Sequence, residues 1–200
     1  MPERLRLPVL VLAMIAIQAI TLAAFGQPPI CTCGTVRLWS GEILSPENSQ
    51  QITDWYTPSH VIHGLLFYGI LRWLFPKLPL IGVVAAALAV EIGWELLENS
   101  PLIIDRYRAQ ALAQGYSGDS VLNSVCDSLA MLSGLTLARF LPVRLTVGLA
   151  VAAEIFTAVM VRDNLTLNVI QLLVPSPTIS AWQAQGGLAS APIATAAPAP

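Results

Sequence analysis

Leu80-Ile-Gly-Val-Val-Ala-Ala-Ala-Leu-Ala-Val-Glu91-Ile-Gly-Trp-Glu95-Leu-Leu-Glu98 is the stretch that decides the fold. At about 1.5 Å per residue it approaches the ~30 Å hydrocarbon core of a bilayer, and from Leu80 to Val90 it carries no charge. Its second half places Glu91, Glu95 and Glu98 at spacings of four and three. That spacing sets the three carboxylates in one stripe, with Glu91 roughly 10 Å deeper than Glu98. One charge at mid-membrane costs ~2.5 kcal/mol or more. Such a stripe cannot face lipid, so the helix belongs in a bundle, its acids turned toward other helices or a water-filled cavity.

Two other segments carry matching stripes. His60 and His63 share one face of the span that begins just after Thr57-Pro58-Ser59. Asp119, Asn123 and Asp127 descend about 12 Å from the start of a later span. Asp54 and Asp105 lie just outside. All the stripes converge on one end of the bundle. Five acids in them face two histidines, so internal pairing cannot neutralise the cluster. Protonation, a bound cation, or Arg106 and Arg108 folding back over the mouth would each compensate.

The composition agrees with this reading. With 200 residues, 55% of them hydrophobic and 11% charged, the chain is an integral membrane protein rather than a soluble domain. A net charge of -2 and scattered basic residues exclude a nucleic-acid partner, which needs a concentrated basic face. Cys31, Cys33 and Cys126 lack zinc-finger spacing. Cys31 and Cys33 are expected as two loop thiols, because a bridge across one intervening residue closes a strained ring; Cys126 packs as a small apolar residue.

Five spans are expected, at about 7–25, 58–75, 80–98, 119–140 and 145–162. The fold class is therefore all-α, a polytopic membrane helix bundle with short interfacial helices. Residues 1–175 form one transmembrane domain, and 176–200 an Ala/Pro-rich disordered tail. The segments 99–108 and 164–174 are expected to lie along the membrane surface. Tight proline-containing links at 75–79 and 140–144 make antiparallel hairpins. Arg4, Arg6, Arg72, Lys77, Arg139 and Arg144, against Arg37, Arg106, Arg108 and Arg162, favour a cytoplasmic N-terminus and a polar pocket facing the periplasm. The first span could instead be a signal peptide cleaved near Ala24-Phe25-Gly26, but its long apolar run favours an anchor.

Chemistry follows from the residue types. His60, His63, Glu95 and Glu98 supply donors for a divalent metal such as zinc or manganese, with Asp119 or Asp127 as catalytic base. Arg106 and Arg108 are candidates for an anionic group, and Glu91 for an ion or proton path. HExxH, a nucleophile elbow, a P-loop and a dinucleotide fingerprint are all absent. The leading expectation is metal-dependent chemistry on a lipid-linked or envelope substrate, with membrane lipid as partner. Proton or cation transport through Glu91 and Asp127 is the second, and a non-catalytic assembly or scaffold role the third. Asp163 with Arg162 is expected as an exposed pair, Glu154 as a partner within the bundle, and the tryptophans as interfacial anchors.

Asp54-Trp-Tyr-Thr-Pro-Ser-His60-Val-Ile-His63-Gly64, Trp94-Glu-Leu-Leu-Glu98-Asn-Ser-Pro101, Ile104-Asp-Arg-Tyr-Arg108, Gly118-Asp-Ser-Val-Leu-Asn-Ser124 and Arg162-Asp-Asn-Leu-Thr-Leu-Asn168 resemble segments of a bacterial family of uncharacterised inner-membrane proteins. The match covers about residues 31–175. It implies a membrane protein and contributes no catalytic residue. The layout of a His-bearing helix, an acid-bearing helix and one opening on aspartate is also similar to VanZ-like membrane proteins. That similarity implies work at the outer face of the cytoplasmic membrane, although the His60/His63 pair does not map onto that group.

Overall fold

A computed structural model describes residues 3–113 and 115–190, and these form helices without strands. The long helices are α1 (Glu3–Phe25), α2 (Thr57–Leu74) and α3 (Leu80–Glu98). A short α4 (Pro101–Arg108) follows, then the long α5 (Val121–Phe140) and α6 (Val143–Val161), and the short α7 (Leu165–Leu173) and α8 (Pro177–Gln183). Proline or a short polar residue sets most starts. Pro58 and Pro101 fall in first turns, and Ser120, Asn164 and Ser176 cap α5, α7 and α8 through their side chains.

Among the described residues four helices are long and apolar enough to cross a membrane: Leu5–Phe25 of α1, then α3, α5 and α6. Their outer faces leave Leu12, Ile20, Phe140, Val143 and Ile155 exposed, the surface that lipid covers in a helical membrane protein. α2 is more polar, since it carries His60, His63 and Arg72. It lies against α3, α5 and α6.

α2 and α5 approach at backbone distance. A Cβ at Gly64 would strike the Met131 carbonyl, and one at Gly134 would strike the Val61 carbonyl. These paired glycines draw the two helices together as small residues do within membranes, and so fix the height of His60 against Asp127. Below them Val83, Val84, Ala87, Leu88, Met131 and Leu135 form the apolar core.

The loop from Gly26 to Tyr56 folds over the polar end of the bundle. It is tied down by Val121 N–H donating to Pro28 O (2.8 Å), Ser120 N–H to Ser49 O (3.1 Å) and Asn123 Nδ2 to Gln51 O (2.8 Å). α4 and α7, near the two segments expected at the surface, complete this cap.

Three expectations are corrected. Cys31 and Cys33 are joined as a disulfide, because the turn around Thr32 brings the two side chains together. Asp163 is buried, not exposed, accepting from Tyr56 Oη (3.2 Å) and Gln183 Nε2 (3.1 Å). Gln183 belongs to α8, so the ordered chain runs past 176. Ala189 N–H donates to Met160 O at 2.8 Å, docking the following segment on the end of α6. Residues 191–200 of the expected tail lie outside the described residues.

Candidate functional site

The site grows from Glu91, which has no exposed surface. His60 Nδ1 lies 2.7 Å from its Oε1 and His63 Nδ1 2.9 Å from its Oε2. An ionised carboxylate only accepts hydrogen bonds, so both imidazoles present Nδ1–H to it. Glu91 thus orients two rings at once. His63 is further held by stacking on Phe67, with ring centroids 5.5 Å apart.

His60 faces two more carboxylates. Its Nε2 is 3.8 Å from Asp127 Oδ2, and its Nδ1 is 3.4 Å from Glu95 Oε1. Glu95 Oε2 accepts from Ser124 Oγ (2.6 Å), which itself accepts from Gln18 Nε2 of α1 (2.7 Å). Glu95 Oε1 is buried without a hydrogen-bond partner. A buried acceptor left unsatisfied costs ~1–3 kcal/mol, and more when charged; this oxygen is poised for a cation or a proton.

A cavity of about 120 Å³ opens beside these groups. His60, His63, Glu98, Asp119 and Asp127 line it together with Tyr56, Tyr107, Tyr116 and Asn168. Asp119 is held by Asn99 Nδ2 (2.6 Å) and Tyr116 Oη (2.8 Å). The preceding Gly118 has φ +95°, and a Cβ there would sit 2.8 Å from Asn99 Oδ1, so the turn that delivers Asp119 requires glycine. Burial, together with neighbouring carboxylates, holds the Tyr56, Tyr107 and Tyr116 hydroxyls well above the usual phenol range. They remain donors.

The histidine and acid stripes expected from the sequence therefore do meet, but in a different grouping. Among the described residues three groups of possible metal donors have ligand atoms within 4.8 Å of one another, and two of them fall in this cluster, His60 with His63 and Glu91, and His60 with Glu95 and Asp127; the third, Cys31 and Cys33 with Glu47, lies in the 26–56 loop. Glu98 belongs to none of them; it lies on the cavity wall facing Tyr107. Arg106 and Arg108 are exposed and absent from the lining. Their Nε atoms donate to Leu172 O (3.0 Å) and Tyr116 O (2.6 Å), fastening α4 to its neighbours. Glu154 accepts from Leu165 N (3.0 Å) and Thr166 N (3.1 Å) at the start of α7.

Sequence reasoning missed Gln18, Asn99 and the three tyrosines. Gln18 had a signal, as a lone amide inside an otherwise apolar span, which in lipid demands a partner. The tyrosines had none, because each sits in a loop or short helix whose packing no periodicity reveals. Trp94 also lines the cavity, while Trp55 packs edge-on to Trp39 at 5.0 Å within a small apolar cluster.

Taken together, these features define an all-helical membrane protein whose apolar spans enclose a His/Glu/Asp site at one end. Residues 22–185 match the model of a family described as "Protein of unknown function (DUF2585)". The chain is 54% identical over 174 residues to a "UPF0314 protein" of Sphingopyxis alaskensis, covering 87% of this chain and 93% of that one. It is 51% identical to "UPF0314 protein RL4541" of Rhizobium johnstonii (86% and 88% covered) and 50% identical to a "UPF0314 protein" of Paracoccus denitrificans (86% and 89%). The chain belongs to this uncharacterised family. No solved structure matches it.

Proposed function

We propose that the protein binds a divalent cation through His60, Glu95 and Asp127 at the periplasmic side of the bacterial inner membrane and uses it on a lipid-borne or envelope substrate entering the cavity. The observation that carries this reading is Glu95 Oε1, buried and without a hydrogen-bond partner beside an imidazole. One nitrogen and two carboxylates form a donor set suited to zinc, manganese or ferrous iron. The fully buried Glu91 behind the histidines matches the carboxylate that commonly orients a ligating imidazole. Asp119, which lines the same cavity as His60 and Asp127, would serve as the base for chemistry that a metal held there would supply.

Metal content of detergent-purified protein, prepared without chelators and measured by mass spectrometry, tests the reading. Near-stoichiometric metal in the wild type, lost in a folded His60→Ala, His63→Ala double variant and in Glu95→Gln, is the expected result. Metal absent from all three would reject it and leave proton-linked or purely structural roles for the cluster.

A further inference from the structure

The cavity beside the proposed metal site is acidic and aromatic, and none of its described lining residues is Lys or Arg. Glu98 and Asp119 reach it from two different segments, beside Asp127 of the proposed metal set. Tyr107 and Tyr116 meet there edge to face, with centroids 5.4 Å apart and planes at 84°, and Trp94 adds a further ring. Aromatic faces set in different directions attract a cation, and two carboxylates in a low-dielectric pocket do so more strongly.

We infer that this cavity receives the primary ammonium group of an amine-bearing lipid headgroup. A primary ammonium carries three N–H donors, which the carboxylates can accept; a quaternary ammonium carries none. The lipid source is favoured by α4 and α7, which contribute Tyr107 and Asn168 to the cavity and also carry apolar surface of the kind that acyl chains cover, Leu102 of α4 being 73% exposed and Leu173 and Val174 at the end of α7 each 70% exposed. Arg106 and Arg108, exposed on α4, place positive charge outside the cavity, where the phosphate of such a headgroup would lie. As a statement about substrate, this inference rests on the metal-site reading; as a statement about recognition, it stands without it.

Native mass spectrometry of the full chain with equimolar phosphatidylethanolamine, phosphatidylcholine and phosphatidylglycerol tests it, metal content being measured on the same samples. The ethanolamine lipid should be retained about tenfold over the other two, a difference of ~1.4 kcal/mol. Glu98→Gln should abolish the preference while leaving metal content unchanged, and Trp94→Leu should weaken it independently, with thermal midpoints confirming that both variants fold. Equal retention of the three lipids, a preference for phosphatidylglycerol, or a preference intact in both variants would overturn the inference. Displacement by excess free glycerophosphoethanolamine would support the headgroup alone as the recognised part, and its failure would support the lipid-borne form. Equal displacement by glycerophosphoglycerol would overturn both. Metal-free protein that still selects ethanolamine removes the metal reading and keeps this one; metal-loaded protein without selection does the reverse.

Discussion

At the scale of single residues, Glu91 governs the site although it touches neither the cavity nor the proposed metal. Glutamine at this position would keep one acceptor but turn an N–H₂ toward the other imidazole, forcing that ring to present a bare nitrogen or to turn away. Glu91→Gln should therefore weaken metal affinity by about tenfold to a hundredfold while the protein still folds, as checked by competition with a chelating dye alongside a thermal midpoint. Unaltered affinity would argue against an orienting role. Asp163 carries a pH dependence of its own. Burial pushes its carboxyl from 3.8 up to about 7, against hydrogen bonds from Asn164, Tyr56 and Gln183. The folded state thus holds a proton that the unfolded chain releases, so the contribution is fully present below about pH 4 and lost as pH rises to about 7. The thermal midpoint of the wild type should fall relative to Asp163→Asn across that window and run parallel above it. A constant difference from pH 4 to 8 would contradict this.

Helix pairing decides whether those residues meet. α2 holds His60 and His63 opposite Asp127 only because Gly64 and Gly134 let two backbones touch. Adding one methyl group at either position must push the helices apart, since the obstructing atoms are main-chain carbonyls rather than movable side chains. Gly64→Ala and Gly134→Ala should each cost about 1–3 kcal/mol and lower metal occupancy together with the thermal midpoint. Gly69 faces open space, so Gly69→Ala serves as the control and should change neither. The Gln18–Ser124–Glu95 chain works at the same scale, linking α1 to α5 and α3 through side-chain hydrogen bonds. Because of it, α1 is part of the site's support.

Across the whole molecule, charge and polarity are separated along the bundle. The acids and histidines gather under the cap formed by the 26–56 loop, α4 and α7, while Arg72, Lys77, Arg139 and Arg144 lie at or beside the opposite hairpins. The proposed orientation, with those hairpins cytoplasmic, predicts a labelling pattern in a Cys126→Ser background. Ala109→Cys should react with an impermeant maleimide on intact spheroplasts, and Lys77→Cys only after permeabilisation; the reverse pattern would invert the topology. Much of this was legible from order and spacing alone. The apolar runs determined an all-helical membrane protein, and the i, i+3, i+4 spacing of His60, His63, Glu91, Glu95 and Asp127 determined that polar faces turn inward, because lipid allows a charged stripe no other direction. Which of those groups pair was decided only by tertiary structure. The rotation of α3 against α2 made Glu91 the support of both histidines and moved Glu98 to the cavity wall, and rotation depends on side-chain packing that periodicity does not encode. The tyrosine wall, the buried Asp163 and the exposure of Arg106 and Arg108 were likewise set by how the cap folds, since loops carry no repeat from which a facing direction follows.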